Sequence, residues 1–208
     1  QSLVELIWAF GGDPLAPTDA GSLAAGAYLA RLAPLLAPST TVAKFDTLTR
    51  DLGTDRVALG PNWPVVAADL IQRGGKPEIA TAATLAGSAG GPRVLSGQVL
   101  IVPTGARQRE HALAFAAHLR SPESQRALAR ELAWFPLRED AVAAAPAWQQ
   151  GVARTALEAL RTARALPPLA RRADLDSYLG AAFRQIAFDG IAPTTALATA
   201  AGYLQGID

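Results

Sequence analysis

An α/β fold, an open sheet covered by helices, is predicted by the order of elements along the chain. Three short apolar runs bounded by turn residues, 56–60, 78–85 and 94–102, read as strands separated by helices. The last third of the 208 residues reads as helix alone. The length allows one large domain or two lobes.

Taken in order, "LVELIWAF" (3–10) is an apolar run that halts at Gly11-Gly12, and Asp13-Pro14 turns the chain. Residues 19–33 form a helix with Leu23, Ala27, Ala30 and Pro34 on one stripe, capped by Thr18 or Asp19. A helix at 41–52 repeats Val42, Phe45, Leu48 or Thr49, and Leu52 at helical spacing, with Gly53 as its stop. After "RVALG", Pro64 suits the first turn of a helix through "VVAADLIQR", ended by Gly74-Gly75. "EIATAATL" is the second strand, "GSAGGPR" a flexible connection, and "VLSGQVLIV" the strongest strand. Helix 106–119 gathers Ala112, Phe115, Ala116 and Leu119 on one face. Ser121-Pro122-Glu123 then combines an N-cap serine, proline at the first helical position and an early acid, so a helix runs to about Ala133. Helices at 147–164, 174–189 and 193–204 close the chain. The second of these places Leu175, Tyr178, Leu179, Ala182, Phe183 and Ile186 on one stripe.

Composition removes several chemistries. There is no cysteine, so disulfides, thiolate nucleophiles and Cys-ligated metals are excluded. A formal net charge of +1 and the lack of a basic stripe argue against nucleic acid as a partner. No apolar run approaches the ~20 residues of a membrane span. The two histidines, His111 and His118, lie ~10.5 Å apart along a helix, too far to share a metal without other ligands. No G-x-S-x-G elbow is present, and the glycines of "GSAGGPR" lack the G-K-[ST] of a phosphate loop. Glu139-Asp140 reads as a solvated charged turn. No catalytic set and no cofactor are expected.

Aromatic residues make up only 6% of the chain, so each large ring calls for an account. Trp8 and Trp148 fall on apolar stripes and read as core. Trp134 in "AWFPLR" is either a half-buried wedge or a ligand contact. Trp63 differs: it sits in "ALGPNWPVV", after a strand and directly before a helix start. In open α/β sheets that position lies where ligands bind, and a flat ring there offers a stacking face to the C–H side of a sugar. The alternative is a plug between strand and helix.

Several segments, in the same order, resemble the sugar-type extracellular solute-binding proteins of ABC importers, the maltose- and trehalose-binding group. "LVELIWAFGGD" is similar to that family's apolar helix ending in Gly-Gly and an acid. "DRVALGPNWPV" is similar to its strand and tryptophan. "VLSGQVLIVPTGARQREHALAFAAHLRSPESQRALA" is similar to its strand, proline-glycine turn and paired helices. "FPLRED" and "DGIAPTTALATAAGYL" resemble segments that follow.

The resemblance implies a periplasmic-binding-protein-like type II fold, two-lobed, with this chain covering mainly the C-terminal lobe. Residues 1–95 and 146–208 would form that lobe, and 96–145 would belong with an N-terminal lobe mostly absent from the chain. It implies a sugar as ligand, permease subunits as partners, and a periplasmic or extracellular location, with lipid anchoring as an option. Among site residues it implies Trp63 as the stacking aromatic, Gly97 and Gln98 at a strand start lining the cleft, and Arg138 at the cleft edge. Gln1 falls near a polar sugar contact, although the family often has an acid there. Tyr178 lies near a helix that supplies an aromatic in maltose binders, whereas helical periodicity alone makes it core. A non-sugar solute such as a glycerol phosphate or polyamine, a helical interaction module, and an enzyme on the same scaffold are the rival readings.

Overall fold

The computed structural model describes residues 2–42, 45–82, 87–95, 100–132, 138–166 and 171–205. Helices dominate: α1 (Ser2–Ala9), α2 (Ala20–Leu32), α3 (Phe45–Gly53), α4 (Pro64–Gln72), α5 (Arg109–Leu119), α6 (Pro122–Leu132), α7 (Glu139–Val142), α8 (Ala147–Thr162), α9 (Arg172–Ala187) and α10 (Pro193–Leu204). The chain divides into two compact units. The first comprises Gln1–Thr47, Thr84–Leu95 and Ala159–Asp208, and the second Leu48–Ala83 and Ser96–Glu158.

The first unit is built on α1, α2, α9 and α10. Leu3, Val4, Ile7 and Trp8 of α1 meet Ala25 and Leu29 of α2, Leu175, Leu179, Ala182 and Ile186 of α9, and Ala196, Leu197, Ala200 and Leu204 of α10. Each buried Leu or Ile removes enough apolar surface from water to contribute ~1.5–3 kcal/mol. The stripe expected on 174–189 is the buried one, with Tyr178 and Phe183 packed at its edge. Helix α1 stops where its glycines demand. Gly11 takes φ 79, its N–H reaches Trp8 O at 3.0 Å, and Gly12 N–H reaches Ile7 O at 2.9 Å. This is the paired closure of a left-handed glycine cap.

Asp19 rather than Thr18 caps α2: one carboxylate oxygen accepts from Ser22 N and the other from Asp13 N, both at 2.7 Å. Burial pushes the Asp19 carboxyl up, but the hydrogen bonds from the Ser22 and Asp13 amides and the Ser22 hydroxyl outweigh it and hold the pKa below the ordinary value. The expected stripe on this helix is displaced. Ser22, Ala25, Gly26 and Leu29 are buried, while Ala27 and Ala30 face water. Small residues surround α2, so hydropathy does not fix its facing; close approach does, because a Cβ on Gly26 would lie 2.9 Å from Pro193 Cβ of α10.

In the second unit Val66, Ala68 and Leu70 of α4 are buried, as are Ala129 of α6, Ala141, Val142 and Ala145 around α7, and Val152 and Ala153 of α8. Ser121 Oγ accepts from Ser124 N at 3.1 Å at the start of α6. Gln125, itself buried, donates to Leu119 O at 2.7 Å and so closes the end of α5. The helix expected at 41–52 starts later, at Phe45, after a 3₁₀ turn over Pro38–Val42. Val42 is exposed and Leu48, Thr49 and Leu52 are half-buried, whereas Thr47 and Asp51 are buried. Phe115 is 59% exposed and no residue of α5 is fully buried, so the face expected on 106–119, with Ala112, Ala116 and Leu119 half-buried, is only partly covered within the described residues.

The sheet is the principal correction. Among the described residues no strand forms at 56–60, 78–82 or 100–102, and the only bridges are Gly87 with Gly90 and Val94 with Arg164. Gly60-Pro61 cuts the first run short and removes a donor. Of the described part of the strongest run only Val94 pairs, in its single bridge with Arg164, while Leu100 and Ile101 stand 65% and 79% exposed. The connection "GSAGGPR" is also not loose: Ala89 N donates to Ala9 O at 2.8 Å and Arg93 pairs with Glu5.

Candidate functional site

Trp63 is set by backbone on both sides. Gly60 lies against Leu48, where an added Cβ would come within 2.5 Å of Leu48 Cδ1 and would have to displace that side chain. Asn62 Oδ1 accepts from Trp63 N at 2.9 Å. Trp63 then takes the extended N-cap conformation (φ −73, ψ 149), its carbonyl accepts from Val66 N at 3.0 Å, and Pro64 begins α4. The fixed φ of proline suits that first position and permits no continuation of the helix backwards. The residue is 49% exposed, beside exposed Leu59 and Val65. A large aromatic held this way presents apolar area at low entropic cost.

Arg138, the N-cap of α7, grips Asp140 with a fork: Nε to Oδ1 at 2.8 Å and Nη2 to Oδ2 at 3.3 Å. The Arg138 hydrogen bonds, with the positive charges of Arg138 and Arg126, hold the Asp140 carboxyl below the usual range. Glu139 and Asp140 thus open a short helix rather than a turn, and both are exposed, as expected of solvated charges. Tyr178 packs on the core of the first unit, and its ring stacks on Tyr203 with centroids 4.9 Å apart and planes 14° from parallel. Beside the pair, α9 and α10 leave a shallow groove of about 150 Å³ floored by Ala181, Ala182, Ala196 and Ala200. Trp63 and Arg138 therefore belong to the second unit and Tyr178 to the first. Gln1, Gly97, Gln98 and Trp134 lie outside the described residues.

Trp8 is buried as expected, whereas Trp148 is half-buried. His118 Nε2 meets Ser124 Oγ at 3.2 Å beside the cap of α6. Among the described residues no group of three or more His, Asp or Glu could hold a metal ion, and no helix is long and apolar enough to cross a membrane. Two features had no signal in the sequence. Glu5 pairs with Arg93 across 88 positions, and Tyr203 stands beside Tyr178 only because α9 and α10 fold back on each other.

The sequence model of the bacterial extracellular solute-binding proteins matches residues 1–156. No curated protein and no solved structure matches the chain. With the match extending over more than half of its length, the chain belongs to the bacterial extracellular solute-binding protein family. Membership supports a substrate-binding role in import, outside the cytoplasm, with a small-molecule ligand and transporter partners.

Proposed function

We propose that the protein captures a sugar, an oligosaccharide such as a maltose- or trehalose-like glucoside, and delivers it to the permease of an ABC importer. The half-exposed Trp63 ring, braced between Asn62 and Pro64, is the observation that carries this reading. Stacking and neutral hydrogen bonds hold a polyol reversibly, which a carrier that must release its cargo requires. In this reading Gly97, Gln98, Gln1, Arg138, Trp134 and Tyr178 supply further contacts in a cleft between two lobes.

The same reading assigns residues 1–95 and 146–208 to one lobe and 96–145 to the other, whose main sheet lies in a missing N-terminal half. Support comes from α5. "HALAFAAHL" is apolar around its whole circumference, the pattern of a buried helix, yet none of it is buried here. The exposed Leu100 and Ile101 have the same need for cover. A helical docking module is disfavoured because the apolar stripe of α9 is buried in its own unit. The location follows as periplasmic or extracellular, with or without a lipid anchor.

Titration calorimetry of the complete protein against a panel of sugars tests the proposal. Trp63→Ala is expected to weaken binding at least tenfold, ~1.4 kcal/mol or more, with the fold intact. Binding at full strength by that variant removes the platform, and a panel without a binder removes the sugar. Residues 1–208 alone should bind weakly.

A further inference from the structure

The chain passes between the two units after residues 47, 83, 95 and 158. Two of these passages meet at one place in the first unit. Arg164 N donates to Arg93 O at 2.8 Å and Leu95 N donates to Arg164 O at 2.7 Å, a single rung of parallel pairing. The N–H of Val94 points to the opposite edge, where a further strand would ordinarily accept it. Glu5 takes that place: its Oε1 accepts from Val94 N at 3.0 Å while its Oε2 accepts from Arg93 Nη1 at 2.9 Å. Both side chains of the ion pair are less than a third exposed. The Arg164 guanidinium lies 5.9 Å from the centre of the Trp8 ring, one turn further along α1. Helix α1 thus grips the outgoing segment with one residue and the incoming segment with another.

We propose that Glu5 is a positioning residue of the solute carrier. It anchors to α1 the two segments that lead to the passages at 95 and 158, so both leave the first unit from one fixed place on its core. This role of Glu5 is independent of whether the ligand is a sugar. Glu5 suits the task because one carboxylate serves a backbone donor and a cation together, each bond charge-assisted. It is anchored by the first turns of α1, whose Leu3, Val4 and Ile7 are buried.

The test uses the absence of cysteine. Spin labels on cysteines replacing exposed Ala198 and Arg154 report the spread of distances between the two units in the full chain. Glu5→Ala should broaden that distribution and speed amide exchange at Leu95 and Arg164 roughly tenfold, with core amides of α9 and α10 unchanged. Glu5→Gln, which keeps an acceptor for Val94 but loses the charge facing Arg93, should broaden it less. If Glu5→Ala does not fold, Arg93→Gln carries the same measurement. A distribution as narrow as the parent's overturns the proposal, as does unchanged exchange at Leu95 and Arg164. Faster exchange spread evenly through the core does so too, because it would make Glu5 an ordinary stabilising residue.

Discussion

Alanine should destabilise the protein at Gly26 and stabilise it at Gly180. Both glycines lie inside helices, where alanine is favoured by ~1 kcal/mol through backbone entropy. At Gly180 of α9 nothing lies within 4 Å of an added Cβ, so that gain stands alone. At Gly26 of α2 the new carbon would lie 2.9 Å from Pro193 Cβ and 3.0 Å from Leu197 Cδ1, with Ile186 Cδ1 at 3.7 Å. A proline ring at the first position of α10 cannot rotate away, so α2 and α10 must separate. Overpacking of this kind costs ~1–3 kcal/mol, which leaves a net loss of up to ~2 kcal/mol after the helical gain. For a chain of this size each kcal/mol moves the melting temperature by ~2–4 °C. Thermal unfolding followed by circular dichroism should therefore place Gly180→Ala above the parent and Gly26→Ala at or below it. Equal rises in both variants would refute the close packing of α2 on α10 at this point.

Further outcomes follow at Asp19 and Leu197 of the same unit and at Leu100 of the other. Asp19→Ala should cost ~1 kcal/mol at neutral pH through loss of the cap, measured by urea unfolding. Because the folded pKa of Asp19 is depressed, its contribution is complete above the unfolded value of ~3.9 and disappears as pH falls through the folded value. The gap between parent and variant should therefore close below about pH 4 and stay constant from pH 5 to 7. Leu197→Ala, at a site with no exposure, should cost ~2–5 kcal/mol, whereas Leu100→Ala, 65% exposed, should change stability by no more than ~0.5 kcal/mol. A large loss at Leu100 in residues 1–208 would show that this segment is already covered.

Local signals were legible in the sequence, and pairings between distant segments were not. Ser121-Pro122, Pro193 and the glycines after α1 mark helix ends through φ restrictions and caps that act within four residues. The stripe of α9 was legible because its large residues leave one possible face. Helix α2 has too few large side chains for periodicity to choose a face, and Gly26 sits inward for contact with Pro193, a residue far along the chain. The three expected strands have suitable composition, but a strand exists only with a partner, and none is formed by the described residues. At the candidate site, Pro64 disclosed where Trp63 would stand. Tyr178 was core by period and ligand contact by resemblance, and it packs against Tyr203 and the core. The Glu5–Arg93 pair could not be read, since nothing local links one surface acid to one arginine 88 residues away.

The turn between α1 and α2 differs in kind from the seam at Gly26. At Gly26 the obstruction is the side chains of Pro193 and Leu197, so glycine at 193 together with a smaller residue at 197 could restore room for alanine. At Gly21 an added carbon would run into the nitrogen and Cα of Gly12 and the carbonyl carbon of Gly11, and at Gly12 into Ser22 N. There main chain meets main chain, and no change of residue elsewhere can make space. Lost function at Gly26 should thus have suppressors on α10, whereas a lesion at Gly21 should revert only at its own codon.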